Sequence, residues 1–146
     1  MKSRNIYKSI GFCSQVDSGL INASIYDNLI FYAKIKGISD DLIEFEAGRV
    51  MVKLNLLPFK NSLISKMSGG RKRKVSFAIA LLGNPKIIIM DEPTSGMDRV
   101  TRKLFWELIE TLKQEKKTVI FTTQFLDEAE SLSDRIAILS KGNSCV

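Results

Sequence analysis

Met67-Ser68-Gly69-Gly70-Arg71-Lys72-Arg73-Lys74 opens a stretch that runs through an apolar segment to Asn84-Pro85. It closes with Lys86-Ile87-Ile88-Ile89-Met90-Asp91-Glu92-Pro93-Thr94-Ser95-Gly96-Met97-Asp98. Ile87 to Met90 is continuously apolar and of strand-forming type, the pattern of a strand covered on both faces in a parallel sheet. Asp91 and Glu92 fall where that strand ends, and the carboxyl ends of such strands are where α/β proteins bind ligands. Two adjacent carboxylates suit a metal: one holds Mg²⁺, directly or through water, while the other polarises an attacking water. Ser68 is placed to N-cap the preceding helix, and the two glycines leave its first N–H groups open as an anion site.

Outward from this stretch, 146 residues fit one domain or most of one, and 45% apolar with 26% charged residues is ordinary for a globular chain. No apolar run approaches the length of a membrane span, so a membrane link has to pass through a partner. The N-terminal basic residues are not followed by an apolar stretch and do not read as a signal peptide. Cys13 and Cys145 are too few for a disulfide scaffold and suit a reducing compartment. The net charge of +6 permits contact with nucleic acid or a membrane surface, and Arg71-Lys72-Arg73-Lys74 concentrates much of it. No aromatic residue interleaves that cluster, so it reads as the solvated first turn of a helix.

In chain order, Ser9 to Ser14 reads as a short strand ending before Gln15. Asn22 to Lys36 predicts an amphipathic helix, with Ile25, Leu29, Tyr32 and Ala33 on one face and Gly37 as its stop. Ser39 then caps a second helix that runs to about Leu56, with Asp40 and Asp41 in its first turn and Pro58 beyond it. Residues 22–66 thus form a helical segment between the first strand and the glycine-pair helix. After Asp98, Val100 to Gln114 predicts a helix with Leu104, Phe105, Leu108 and Leu112 inward. Thr118 to Thr122 is a strand, a short acidic helix follows through Asp127, Glu128 and Glu130, and Arg135 to Leu139 reads as another buried strand before a Lys141-Gly142 turn. Strands alternating with helices imply an α/β fold with a parallel sheet.

Met67-Ser68-Gly69-Gly70 resembles the signature motif of ATP-binding cassette (ABC) proteins, Ile87 to Glu92 resembles their Walker B strand with its catalytic glutamate, and Ser95-Gly96-Met97-Asp98 resembles their D-loop. The helical segment around Phe31-Tyr32-Ala33-Lys34-Ile35-Lys36-Gly37, the basic run after Gly70 and the ending Asp134 to Gly142 are similar to the A subfamily, whose members move lipids. The resemblance implies a P-loop NTPase-like parallel sheet flanked by helices, with residues 22–66 as a helical subdomain and 67–146 as the signature, Walker B, D-loop and switch region. It further implies ATP and Mg²⁺ as cofactors. Glu92 and Gln124 would be catalytic, Asp91 and Gln15 would hold the metal, and Gln15, Ser68, Gly69, Gly70 and Asp98 would bind nucleotide. The partners implied are a second nucleotide-binding domain, head to tail, and a transmembrane domain, with no nucleic acid. The place implied is the cytoplasmic face of a membrane.

Two departures stand out. The chain contains no G-x-x-x-x-G-K-[ST] phosphate-binding loop. Gln15 resembles the family's Q-loop glutamine; in the family the phosphate-binding loop lies several tens of residues before that glutamine, whereas fourteen residues precede Gln15. The resemblance therefore implies the C-terminal two-thirds of a nucleotide-binding domain, with the N-terminal part of the fold absent. The switch position, usually histidine, is Gln124, which can donate a hydrogen bond but cannot titrate. Two other readings stay open: a truncated partner that hydrolyses nothing but pairs with an intact domain, and a soluble ABC ATPase acting on ribosomes or nucleic acid.

Overall fold

The computed structural model describes residues 9–16 and 18–144. Cys145 and the basic N-terminal residues lie outside them. Its centre is a three-stranded parallel sheet in the order β1 (Ile10–Cys13), β2 (Ile87–Met90), β3 (Thr118–Phe121). The register is strict, with Ile10, Ile87 and Thr118 in one row and Cys13, Met90 and Phe121 in the last. All three strands therefore end at the same edge.

Between β1 and β2 come α1 (Ile25–Ile35), α2 (Asp40–Lys53), two short 3₁₀ turns and α3 (Gly69–Leu81). The first helix starts three residues later than expected, because Ser24 and Asp27 form a capping box that fixes its N-terminus. Gly37, at φ 70°, ends it as expected. Ser39 does precede α2, but its side chain makes no capping hydrogen bond. From Val75 to Leu81 every residue of α3 is buried, the mark of a helix enclosed on all sides. It lies so close to β1 that a Cβ on Gly11 would stand 2.3 Å from the Ala80 carbonyl oxygen. Only glycine fits there. The other end of α3 is held by cations from the helices before it: Lys36 Nζ donates to the Ala80 and Leu82 carbonyls at 2.9 and 3.1 Å, and Arg49 donates to the Leu81 carbonyl at 2.9 Å. Positive charge at a helix C-terminus is favourable.

After β2 the chain forms α4 (Arg99–Gln114), β3, α5 (Leu126–Leu132), and a small hairpin of β4 (Leu139–Ser140) and β5 (Asn143–Ser144). Phe77 of α3 and Phe105 of α4 meet with ring centroids 4.9 Å apart and join the two helices over the sheet.

Three expectations change. The sheet is covered on one face alone among the described residues. Gly11, Cys13, Ile88 and Met90 are buried, but the opposite row of Phe12, Ile89 and Ile120 leaves Phe12 57% and Ile120 54% exposed. The buried stripe of α4 is Phe105, Ile109 and Leu112, while Leu104 is 50% exposed. Leu104 and Leu108 fit the same helical spacing, displaced by one residue, and burial of Ile109 decides between the two stripes. Finally, Arg135 to Leu139 is no buried strand. Residues 135–138 join no ladder, Ile136 and Ile138 are exposed, and pairing begins only at Leu139. An apolar run becomes a strand only where a sheet edge receives it. The Lys141-Gly142 turn is present, both residues having positive φ, as a two-residue hairpin requires.

Candidate active site

Because the strands end in register, the residues following them meet. The Asp91 N–H donates to the Cys13 carbonyl at 2.9 Å and the Thr122 N–H to the Met90 carbonyl at 3.0 Å, which carries the ladder just past the strands. The Thr122 hydroxyl then donates to Asp91 Oδ1 at 2.6 Å and accepts from the Glu92 N–H at 2.9 Å. One hydroxyl thereby orients both carboxylate residues.

Gln15, from the loop after β1, and Gln124, from the loop after β3, each donate Nε2 to Glu92 Oε2 at 3.1 Å. Three stretches far apart in sequence thus converge on one carboxylate oxygen. Two amide donors fix its direction. Glu92 itself sits at φ 42°, a left-handed conformation uncommon outside glycine. Such strain is retained where the surroundings over-determine it. Asp91 is exposed beside it.

Ser68, Gly69 and Gly70 belong to a different constellation. Ser68 occupies the N-cap position of α3, but its side chain makes no capping bond. A Cβ on Gly69 would meet nothing within 4 Å, and one on Gly70 would meet only Thr101 Cγ2 at 3.4 Å. Nothing in the chain's own packing demands glycine at Gly69. Asp98 caps α4, accepting from the Thr101 N–H at 2.9 Å and the Thr101 hydroxyl at 2.7 Å. Those bonds, the backbone one foremost, lower its pKa below the ordinary carboxylate value. The structure therefore joins Gln15, Asp91, Glu92 and Gln124, and sets Ser68, Gly69, Gly70 and Asp98 at two helix starts.

Three residues of the site escaped the sequence reading. Thr122 is one. Glu128, fully buried, accepts from Trp106 Nε1 at 2.9 Å, from Thr94 at 3.0 Å and from Thr123 at 2.5 Å, and so ties the segment after Glu92 to the residue before Gln124. Arg73, 5% exposed, donates to the main-chain carbonyls of Ser14, Gln15, Asp91, Glu92 and Pro93. The basic run is accordingly no solvated turn throughout: Arg73 is internal, and the Arg71 guanidinium stacks 3.9 Å above the Phe59 ring. The one sequence signal for Arg73 was its spacing from Phe77 and Ala80, which puts it on an enclosed helix face.

A parallel sheet packed against helices, with acidic residues and polar loops gathered at its carboxyl edge, defines the α/β class expected. The chain belongs to the ABC transporter family, whose model, described as "ABC transporter", matches residues 1–95. It is 44% identical over 135 residues to the cholesterol transporter ABCA5 of Homo sapiens, the match covering 92% of this chain and 8% of that protein. It is 46% identical over 138 residues to the phospholipid-transporting ATPase ABCA3 of Mus musculus, covering 94% of this chain and 8% of the relative. It is 40% identical over 138 residues to the ABC-type organic anion transporter ABCA8A of Mus musculus, with the same two shares. The similarity to the A subfamily is thus borne out, and the chain spans 8% of the length of each of these relatives.

Proposed function

We propose that this chain is the catalytic and signature portion of an ATPase domain that couples ATP binding and hydrolysis to transmembrane transport of lipids. The observation that carries the reading is the convergence of Gln15 and Gln124 on Glu92 Oε2. Glu92 acts as the base that polarises water. Gln124 has two N–H donors on Nε2, one used on Glu92 and the other free to meet a γ-phosphate oxygen. Asp91 and Gln15 supply the oxygen ligands for Mg²⁺, which would neutralise charge on the phosphates. The donor set fits: Mg²⁺ takes one or two protein oxygens and completes its shell from phosphate and water. Among the described residues no group of three or more His, Cys, Asp or Glu could hold a metal, so the ion would arrive with its nucleotide.

Ser68, Gly69 and Gly70 face the ATP of a second nucleotide-binding domain arranged head to tail, and Asp98 lies at the crossing between the two sites. The bare glycines support this, since a polyphosphate approaching from outside explains what internal packing does not. Residues 22–66 act as the helical subdomain that meets the transmembrane domain, and 67–146 as the signature-to-switch portion. A phosphate-binding loop from outside these 146 residues completes the nucleotide contacts. Among the described residues no helix is long and apolar enough to cross a membrane. We place the domain at the cytoplasmic face, held by its transmembrane partner. Engagement of Arg71 and Arg73 within the fold removes half of the cluster on which the nucleic-acid reading rested.

The printed names of the relatives differ in cargo, cholesterol, phospholipid and organic anion, at similar identity. The test is therefore the longest natural polypeptide containing this chain, reconstituted in vesicles with cholesterol or phospholipid. Mg²⁺-dependent ATP hydrolysis stimulated by one of these lipids is expected. Absence of hydrolysis would overturn the enzymatic reading, and hydrolysis indifferent to both lipids would overturn the cargo.

A further inference from the structure

The geometry points to Arg73 as a positioning residue that sets the Gln15 loop against the Asp91–Pro93 loop, and so links the signature helix of one half-site to the carboxylate of the other. The assignment rests on the reading of Glu92 and Ser68–Gly70 given above.

A guanidinium has five N–H donors in one plane, and all five are used here. Nε donates to the Pro93 carbonyl at 3.0 Å, Nη2 to Asp91 and Glu92 at 2.8 and 3.1 Å, and Nη1 to Gln15 at 2.9 Å and to Ser14. Every acceptor is main chain, and each belongs to one of the two loops that carry Gln15 and Glu92. Among the described residues Arg73 forms no ion pair. Among the described residues its buried charge is met by carbonyl dipoles, which makes it sensitive to where those carbonyls stand.

The consequence at Glu92 is specific. Its left-handed backbone is gripped on both sides, the N–H by Thr122 and the carbonyl by Arg73. The carbonyl of Gln15, whose amide reaches Glu92, is gripped by the same guanidinium. Arg73 stands in the second turn of α3, whose first turn presents Gly69 and Gly70. A rigid helix with one end facing a neighbour's nucleotide and a side chain clamping its own catalytic loops is a mechanical link between two sites. Lysine has three donors on one nitrogen and cannot reproduce the five planar bonds that fix the two loops against each other.

The test uses the longest natural polypeptide carrying this chain, with Arg73→Lys, Arg73→Gln, Glu92→Gln and the Arg73→Lys/Glu92→Gln pair. For Arg73→Lys the expected result is a kcat about tenfold to a hundredfold lower, the usual penalty for sub-ångström misplacement, with KM for ATP nearly unchanged. Because Arg73 acts through Glu92, the double variant should be no slower than Glu92→Gln alone. Hydrogen exchange at the Asp91 and Glu92 amides, bonded to Cys13 and Thr122, should quicken while amides within α3 keep their protection. Multiplying losses in the double variant, or unchanged exchange at the Asp91 and Glu92 amides, overturns the proposal. Global unfolding of both the lysine and glutamine variants also counts against it, since Arg73 would then serve the fold as a whole. Full turnover by Glu92→Gln would instead overturn the reading of Glu92, and exchange would still decide on Arg73.

Discussion

The Glu92 corner and the start of α3 both offer chemistry to a phosphate, and they are built in opposite ways. At the corner the side chains already hold one another: Thr122 between the carboxylate residues, two amides on Glu92, and Arg73 behind the main chain. At the start of α3 the serine side chain makes no capping bond, and a side chain added at Gly69 would meet nothing within 4 Å among the described residues. A site preassembled by its own chain loses function when one of its members changes. A site left bare loses function when something is added. The largest expected effect belongs to the first kind. Glu92→Gln keeps shape and one acceptor but removes the charge proposed to polarise water, so ATP turnover by the natural full-length polypeptide should fall a hundredfold or more while nucleotide still binds. Steady-state hydrolysis with parallel nucleotide binding measures it; near-normal turnover would erase the distinction between the two places.

Gly69→Ala probes the second kind. The added methyl meets no atom of the chain, and alanine favours a helix, so thermal unfolding should be unchanged or stabilised by no more than about 1 kcal/mol. Turnover should nevertheless fall about tenfold to a hundredfold, because close approach of a phosphate to the first-turn N–H groups is blocked. Loss of stability together with activity would mean that the glycine serves internal packing, and the contrast would fail.

Gln124→His returns to the corner with a smaller change. Gln124 already donates to Glu92, and phosphoryl transfer depends chiefly on positioning and electrostatics. Histidine should raise the rate by well under the roughly hundredfold that acid–base catalysis can supply, with affinity little altered. A larger rise would show that a protonatable ring is what the corner lacks, and a fall that the pocket is fitted to glutamine.

What was legible in the sequence was what has a local signature. The apolar run Ile87–Met90, the Asn84-Pro85 break and the carboxylates at the strand end all stand where the residues suggest. Gln15 and Gln124 were found through their place relative to those motifs. Arg73, Thr122 and Glu128 were not, because each acts on main-chain or hydroxyl groups brought near only by the folded sheet. A basic residue in a basic run looks solvated until the carbonyls around it are seen. The 135–139 region failed for a related reason: an apolar run signals a strand, but the edge that would accept it is a property of the whole sheet.

The smallest effect concerns the far end of α3, where the helix is clamped and not bare. Lys36 donates to the Ala80 and Leu82 carbonyls there, and burial lowers its pKa to about 8, against a smaller opposing pull from Glu46. Arg49 and Lys117 share this neighbourhood, and burial lowers Lys117 as well. Below pH 8 both folded and unfolded chains carry the Lys36 proton, so this group gives no pH dependence. Between pH 8 and the ordinary lysine value of 10.5 the unfolded chain binds a proton that the folded chain has released. Stability from this group therefore rises with pH across that window, by at most about 1.4 kcal/mol per unit, and is lost as pH falls back through 8. Lys36→Met removes the titration, leaving any contribution of Lys117 in place. Urea unfolding at pH 7 and pH 9.5 should show a smaller gain on going to the higher pH in the variant than in the wild type. Equal gains would mean that Lys36 keeps its proton in the folded chain, and that the C-terminal end of α3 is more open to water than its two carbonyl bonds imply.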